Sequence, residues 1–307
     1  MTQMPHQTGD FAATFQVQGR PIRGCCVRMG RASISPILDR HDYPRHLAEI
    51  LGQAVALAAL VGASLKFKGK ILVQAEGDGP VTLLVGEYST SGNLRGYARY
   101  DAEGWANLER VNKGGVPHMP QLFGRTGRLG LIMVQDNPAI QPYQGIVPLN
   151  KASLAQCAED YFAMSEQVPS RIRLAVERSA GSGLWTAGGM LVQRIAGDDA
   201  RGDTDEGWRE AEALFATLSH GELIDLQLPM TELLYRLFHE QGVALESGTA
   251  VLDQCTCSEA RLVSTLSQMP DASLRELVEE DGNLSIDCQF CARHYTIDIS
   301  RVTGPLN

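Results

Sequence analysis

Four of the chain's seven cysteines stand in two tight pairs, Cys255-Thr256-Cys257 and Cys288-Gln289-Phe290-Cys291, with thirty residues between them. Thiolate sulfur prefers zinc or iron–sulfur iron to calcium or magnesium, and two close pairs brought together by an intervening segment let one chain surround a tetrahedral ion. The spacing predicts one Zn²⁺ per chain, bound in the reduced state by Cys255, Cys257, Cys288 and Cys291. The two halves differ. Cys-x-x-Cys has knuckle spacing and runs into Ala292-Arg293-His294, after which Tyr295, Ile297 and Ile299 alternate with Thr296, Asp298 and Ser300 as in a strand. Cys-x-Cys is one residue shorter, so both sulfurs reach one ion only from an extended or sharply turned backbone, where residues i and i+2 share a face. It is the more easily perturbed half. Four cysteines complete a tetrahedral shell and leave no open catalytic position on the metal. Such a site can simply fold a small module or can regulate it, and the spacing leaves both open.

The elements that must position these sulfurs are few. From about Ser247 onward there are roughly sixty residues, near the size at which a core needs metal or disulfide support. Ser258 can cap a helix carrying Leu262, Val263, Leu266 and Met269, stopped by Pro270; Ser273 with Glu276 forms a capping box for a second helix ended by Gly282. The expected module, residues 247–307, is helix, helix, hairpin, with sulfurs at both ends.

Upstream, residues 1–196 alternate strand-like and helical segments. Strands are expected at Phe11 to Val17, Ile22 to Arg28, Ile71 to Ala75, Val81 to Val85, Arg95 to Tyr100, Leu129 to Val134 and Ile146 to Leu149. Further extended segments are expected around Ile172 to Val176 and Met190 to Gln193. A helix is expected over Ser153 to Glu166, and the uncharged run Ile50 to Leu65, opened by Pro44, reads as a buried helix too short and too polar to span a bilayer. The expected class is α+β, a mixed and mostly antiparallel sheet core with helices. Residues 197–246 then form an acidic and helical linker: Gly197 to Glu212 holds seven acids, two arginines and three glycines. Two amphipathic helices follow, one with Ala211, Leu214, Phe215 and Leu218 on a face, the other with Met230, Leu233, Leu234, Leu237 and Phe238 behind Pro229. The second stripe is a candidate client-binding or switch helix. Either stripe also suits ordinary packing on the neighbouring domain.

Charge narrows the function. The net charge is −9, and from Ala250 onward nine acids face four arginines, the wrong balance for a zinc ribbon that grips nucleic acid. The first ten residues lack a basic and apolar leader pattern, and the cysteine usage suits a reducing cytoplasm. Cys25, Cys26 and Cys157 lie in apolar segments and are expected to be inert. His41 and His46 flank Pro44 near a helix start and read as capping or solvated residues. No Gly-x-Ser-x-Gly, His-Glu-x-x-His or phosphate-loop signature occurs, so no enzyme is expected. The alternative is a thiol or zinc-dependent oxidoreductase built on Cys288-x-x-Cys291, although a redox Cys-x-x-Cys usually starts a helix rather than a hairpin.

Over nearly its full length the chain resembles the 33 kDa chaperonin family of redox-regulated heat-shock chaperones. The resemblance is carried by Cys-Thr-Cys-Ser-Glu-Ala-Arg at 255 to 261 and Cys-Gln-Phe-Cys at 288 to 291. In the core it is carried by His41-Asp42-Tyr43-Pro44, Gln74-Ala75-Glu76-Gly77-Asp78-Gly79-Pro80, Arg95-Gly96-Tyr97-Ala98, Tyr143-Gln144-Gly145-Ile146-Val147 and Ser165-Glu166-Gln167. Gly124-Arg125-Thr126-Gly127 and Asp253-Gln254 depart locally from the pattern. The resemblance implies an ATP-independent holdase, idle when reduced and zinc-bound. On oxidation it implies disulfides Cys255–Cys257 and Cys288–Cys291, loss of zinc, exposed apolar surface that binds unfolding client proteins, and a homodimer. No nucleic-acid or membrane partner is implied.

Overall fold

A computed structural model of the chain describes residues 9–195, 204–239, 242–279 and 281–303. Two compact units emerge, Met1–Asp253 and Gln254–Asn307. In chain order the first contains β1 (Phe11–Val17), β2 (Ile22–Met29), α1 (Ile34–Leu38), α2 (Arg45–Ala63), β3 (Gly69–Glu76), β4 (Val81–Ser89), β5 (Asn93–Tyr100), α3 (Ala102–Asn112), α4 (Met119–Phe123), β6 (Arg128–Gln135) and β7 (Tyr143–Pro148). It continues with α5 (Leu154–Tyr161), a π-helical turn (Phe162–Glu166), β8 (Ser170–Arg178), β9 (Trp185–Arg194), α6 (Thr204–Ala216), α7 (His220–Ile224), α8 (Met230–Phe238), β10 (Val243–Leu245), β11 (Thr249–Ala250) and β12 (Leu252–Asp253). The class is α+β. One sheet has the order β10-β1-β2-β9-β8 with β11 also on β1, and the other runs β12-β5-β4-β3-β6-β7. Every pairing is antiparallel except β12 on β5.

The helix α2 packs against β3, β4 and β5 of one sheet and against β1, β2, β8 and β9 of the other. From Ala54 to Ala63 its side chains are apolar all round, as a helix enclosed on every side requires. Leu47, Leu51, Val55, Ala58 and Leu60 are fully buried. Among the described residues it is the one helix long and apolar enough to cross a membrane, and here it is the core. It lies close to β4 because Gly86 has no side chain: an added Cβ would sit 2.5 Å from the backbone of Ala54. At its start His46 Nδ1 meets Glu49 Oε2 at 2.9 Å. His41 is half-buried and packs against the rings of Tyr43 and Tyr97, 5.5 and 5.6 Å away.

Strand alternation gives the first sheet two apolar faces. Ala12, Cys25, Val27, Met29 and Leu191 point to the α2 core, whereas Phe11, Phe15, Ile22, Cys26, Met190 and Val192 point outward into a second buried cluster. That second face is covered by α6, α7 and α8, the segment expected as a linker. Residues 196–203, the first part of that segment, lie outside the described residues. From Thr204 on, the acids have partners: Asp205 pairs with Arg194 at 2.6 Å, Glu210 with Arg20 at 2.7 Å and Glu212 with Arg171 at 2.5 Å. An apolar centre with an ionic rim results. The segment Val243–Asp253 then adds β10, β11 and β12 to both sheets, so residues 247–253, expected in the metal module, supply sheet edges to the first unit.

The second unit contains α9 (Glu259–Leu266), α10 (Asp271–Glu276), the hairpin β13 (Asn283–Asp287) and β14 (His294–Asp298), and α11 (Ser300–Thr303). Ser258 caps α9 as expected, its Oγ accepting from Arg261 N–H. The expected capping box at Ser273 and Glu276 is not formed. The second helix starts three residues earlier, behind Pro270, whose carbonyl accepts from Ser273 and Leu274 N–H. Nor does Gly282 end a helix: Val278 is already bridged to Leu284, and Gly282 sits at φ 82° in the turn that follows. A fixed proline φ moves the entry upstream, and early strand pairing cuts the helix short at its exit. The buried cluster here is small: Leu266, Leu274, Leu284, Ile297 and Val302.

Candidate metal centre

The four cysteines expected as ligands come together within the second unit. Their Sγ atoms all lie within 4.8 Å of one another, with Cys255 3.8 Å from Cys288 and Cys257 3.4 Å from Cys291. Four sulfurs at about 2.3 Å from a common zinc would lie about 3.8 Å apart, so the arrangement fits a tetrahedral ion with small adjustments. The thiolate donor set favours Zn²⁺ over hard cations.

Each half is held by local structure. Cys288 and Cys291 stand in the turn between β13 and β14, where Cys288 N–H donates to Arg293 O at 2.9 Å, and Cys291 and Ala292 N–H both donate to Cys288 O. Folding the chain around this knuckle puts Ala292 at φ 55°, the left-handed region, an unfavourable one for a residue with a Cβ. Cys255-Thr256-Cys257 lies outside any regular element, immediately before α9. Its turn is held by Arg261, which donates to Thr256 O at 3.0 Å. The N-terminus of α9 follows at once, an end that favours negative charge nearby.

One further residue touches the sulfurs. Tyr295 on β14 donates its hydroxyl to Cys257 Sγ at 3.1 Å. Burial alone would push the Cys257 thiol up, but the hydrogen bonds from Tyr295 and from the neighbouring thiols outweigh it and bring the pKa down to about 7. At Cys291 burial again raises the pKa, and with the neighbouring thiols adding to it the hydrogen bond from the Arg293 backbone is too little to offset the rise, to about 12. Cys257 is therefore readier to ionise and react than Cys291. Sequence alternation placed Tyr295 on a strand, but nothing in the spacing pointed its hydroxyl at Cys257, and the Arg261 clamp was equally silent.

The other cysteines are apart from this cluster. Cys25, Cys26 and Cys157 are buried; burial raises all three, Cys25 to about 12. The candidate client-binding residues Met230, Leu233, Leu234, Leu237 and Phe238 are also buried, on α8 over the outer face of the first sheet.

A family model described as Hsp33 protein matches residues 10–298. The chain belongs to the Hsp33 family. The 33 kDa chaperonin of Caulobacter vibrioides is 44% identical over 304 residues, 97% of this chain and 99% of that protein. That of Cronobacter sakazakii is 35% identical over 268 residues, 87% and 85% of the respective chains. The Hsp33 homologue of Thermotoga maritima, known from a crystal structure, superposes with a TM-score of 0.76 at 23% identity, covering 95% of this chain and 96% of its own. The Hsp33 family is one of chaperones, and the fold described above is the Hsp33 fold.

Proposed function

We propose that this chain is an ATP-independent holdase switched on by oxidation of its four-cysteine cluster. The observation that carries the proposal is the cluster itself, four sulfurs within 4.8 Å in a unit whose buried core, among the described residues, is Leu266, Leu274, Leu284, Ile297 and Val302. A Zn²⁺ bound by Cys255, Cys257, Cys288 and Cys291 would keep the sulfurs as thiolates and crosslink the two segments. Peroxide takes two electrons from each pair of thiols: one sulfur becomes a sulfenic acid, its partner displaces water, and one disulfide and two waters form per peroxide. A disulfide sulfur is a poor metal ligand. Bonds Cys255–Cys257 and Cys288–Cys291 leave the two segments unlinked to one another, whereas bonds across the cluster would staple them together.

A core this small without its crosslink falls below what so small a module needs. On this reading the module unfolds, α6 to α8 lift from the first sheet, and the apolar surfaces of both become available to clients whose own apolar segments are exposed. Each buried Leu, Met or Phe on α8 contributes about 1.5–3 kcal/mol to docking before entropy is subtracted. The reading includes a cytoplasmic location and a homodimer in the oxidised state, without nucleic-acid or membrane partners. An oxidoreductase role is less well supported, because Cys288 and Cys291 occupy a hairpin turn rather than a helix N-terminus. The test is light scattering from a heat-labile client, with metal release followed in parallel. Aggregation is suppressed by the oxidised, metal-free protein and not by the reduced, metal-loaded one; equal protection by both rejects the proposal.

A further inference from the structure

The outer face of the first sheet is apolar at its centre, with Arg171, Arg173 and Arg194 toward its rim, and among the described residues it holds one buried charge. Arg28, on β2, shares that face with Ile22 and Cys26 yet is only 4% exposed. Its guanidinium reaches the helical segment above it: Nη1 donates to Leu228 O and Nη2 to Glu222 O at 3.0 Å. Glu222 lies near the C-terminal end of α7, where carbonyls lack helical partners, and Leu228 immediately precedes Pro229, which opens α8. One cation therefore ties both ends of the turn between α7 and α8. Among the described residues no carboxylate pairs with Arg28 at ion-pair distance, and its Nε is buried without a hydrogen-bond partner. Its burial is compensated by those two carbonyls, and only while the segment is in place.

The strand beside it completes the seat. Arg28 is in register with Gly188 on β9, and a Cβ at Gly188 would lie 2.1 Å from Leu223 O. The missing side chain lets the backbone of α7 rest on the sheet while Arg28 reaches around it. The other end of α7 is closed by its own capping box, Ser219 N–H donating to Glu222 Oε2 at 3.0 Å and Glu222 N–H to Ser219 Oγ at 3.3 Å.

We infer that Arg28, seated with Gly188, is the positioning residue that latches α7 and α8 over the apolar face, so that breaking this latch releases the segment while the four-cysteine cluster stays intact. The inference rests on the proposed switch and names the contact within the first unit on which it turns. It also explains why a buried cation sits in an apolar face: it favours docking through two directed bonds, yet it gains hydration as soon as the segment lifts, which makes release easier than for an all-apolar seam.

Cys26 and Cys25 provide the readout, because they face opposite sides of the same strand. Reduced, metal-loaded protein is treated with a neutral alkylating agent, and adducts are located by mass spectrometry. In Arg28→Gln and Gly188→Ala, Cys26 is expected to react at least about tenfold faster than in the parent, the equivalent of ~1.4 kcal/mol of lost docking. Cys25 stays protected and metal content is unchanged. Arg28→Lys, which keeps the charge but cannot span both carbonyls, gives an intermediate rate and serves if the glutamine variant does not fold. Unchanged Cys26 reactivity in Arg28→Lys and Gly188→Ala overturns the latch, and so does simultaneous labelling of Cys25 and Cys26, which marks global unfolding. Client protection measured on the same samples separates the two readings: Cys26 uncovered without protection rejects the holdase proposal and leaves the latch standing.

Discussion

The ring of Phe238, at the end of α8, lies 6.1 Å from the ring of Phe15 on β1, and both are buried to within 1% of full exclusion. This contact joins the helical segment to the sheet that it covers. Phe238→Ala removes it and leaves a cavity at a cost of about 3–5 kcal/mol. The variant is expected to melt at lower temperature and to protect a client partly without oxidant, with its metal content unchanged. Calorimetry and light scattering on the same preparation check both halves.

Removing one sulfur acts at the other unit. Cys288→Ser leaves three ligands, and the binding free energy that a structural zinc site adds to folding, on the order of 10 kcal/mol or more, is largely lost. Tight metal retention against a chelator is expected to disappear, and amides across 254–303 to exchange freely, while β3 to β6 remain protected. Persistent one-to-one metal in this variant would mean that Cys288 is not a ligand.

Metal affinity should rise with pH, with a change of slope. Cys291, at about 12, must shed its proton on binding throughout the accessible range; Cys257, at about 7, must do so only below that value. Binding releases protons, so acid opposes it, and one more proton is released per ion below about pH 7 than above. Chelator competition across this range measures the slope. Tyr295→Phe deletes the donor to Cys257 and is expected to move the inflection upward, toward the ordinary thiol range.

Ala292 holds a left-handed backbone in the knuckle. Glycine adopts that conformation without a Cβ clash, so Ala292→Gly is expected to leave stability unchanged or raise it by up to about 1 kcal/mol, the strain relieved less the added chain entropy. The midpoint of unfolding of the metal-loaded second unit reports it.

Mapping of the oxidised protein is expected to give Cys255–Cys257 and Cys288–Cys291. The reduced geometry does not choose between pairings, since the cross-cluster sulfurs Cys257 and Cys291 are already 3.4 Å apart and any disulfide must close to about 2.05 Å. Release of the module makes the choice. Peptide mapping that recovers Cys257–Cys291 instead would indicate a locked module, incompatible with unfolding.

Much of this was legible in the sequence where local rules act alone. The spacing of the four cysteines, the Ser258 cap and the alternation of Phe11 to Val17 each follow from one short stretch of chain, and each element stands where expected. What the sequence hid is long-range. The stripe from Met230 to Phe238 could not show that it covers Phe15 and Cys26, two hundred and more residues earlier. The acids after Gly197 looked like solvated linker until Arg20, Arg171 and Arg194 were brought beside them by the sheet. Strands of two or three residues, such as Thr249–Ala250 and Leu252–Asp253, are too short for periodicity and are held by partners in β1 and β5. Ser273 failed as a cap because Pro270 had already set the helix entry.

The central claim is that oxidation of the cysteine cluster uncovers the sheet face beneath α6 to α8, and hydrogen exchange before and after peroxide tests it most directly. The account predicts a large gain in exchange across 204–238 and 254–303 after oxidation, with α2 and β3 to β6 unchanged. Continued protection of 204–238 in fully oxidised protein would contradict it.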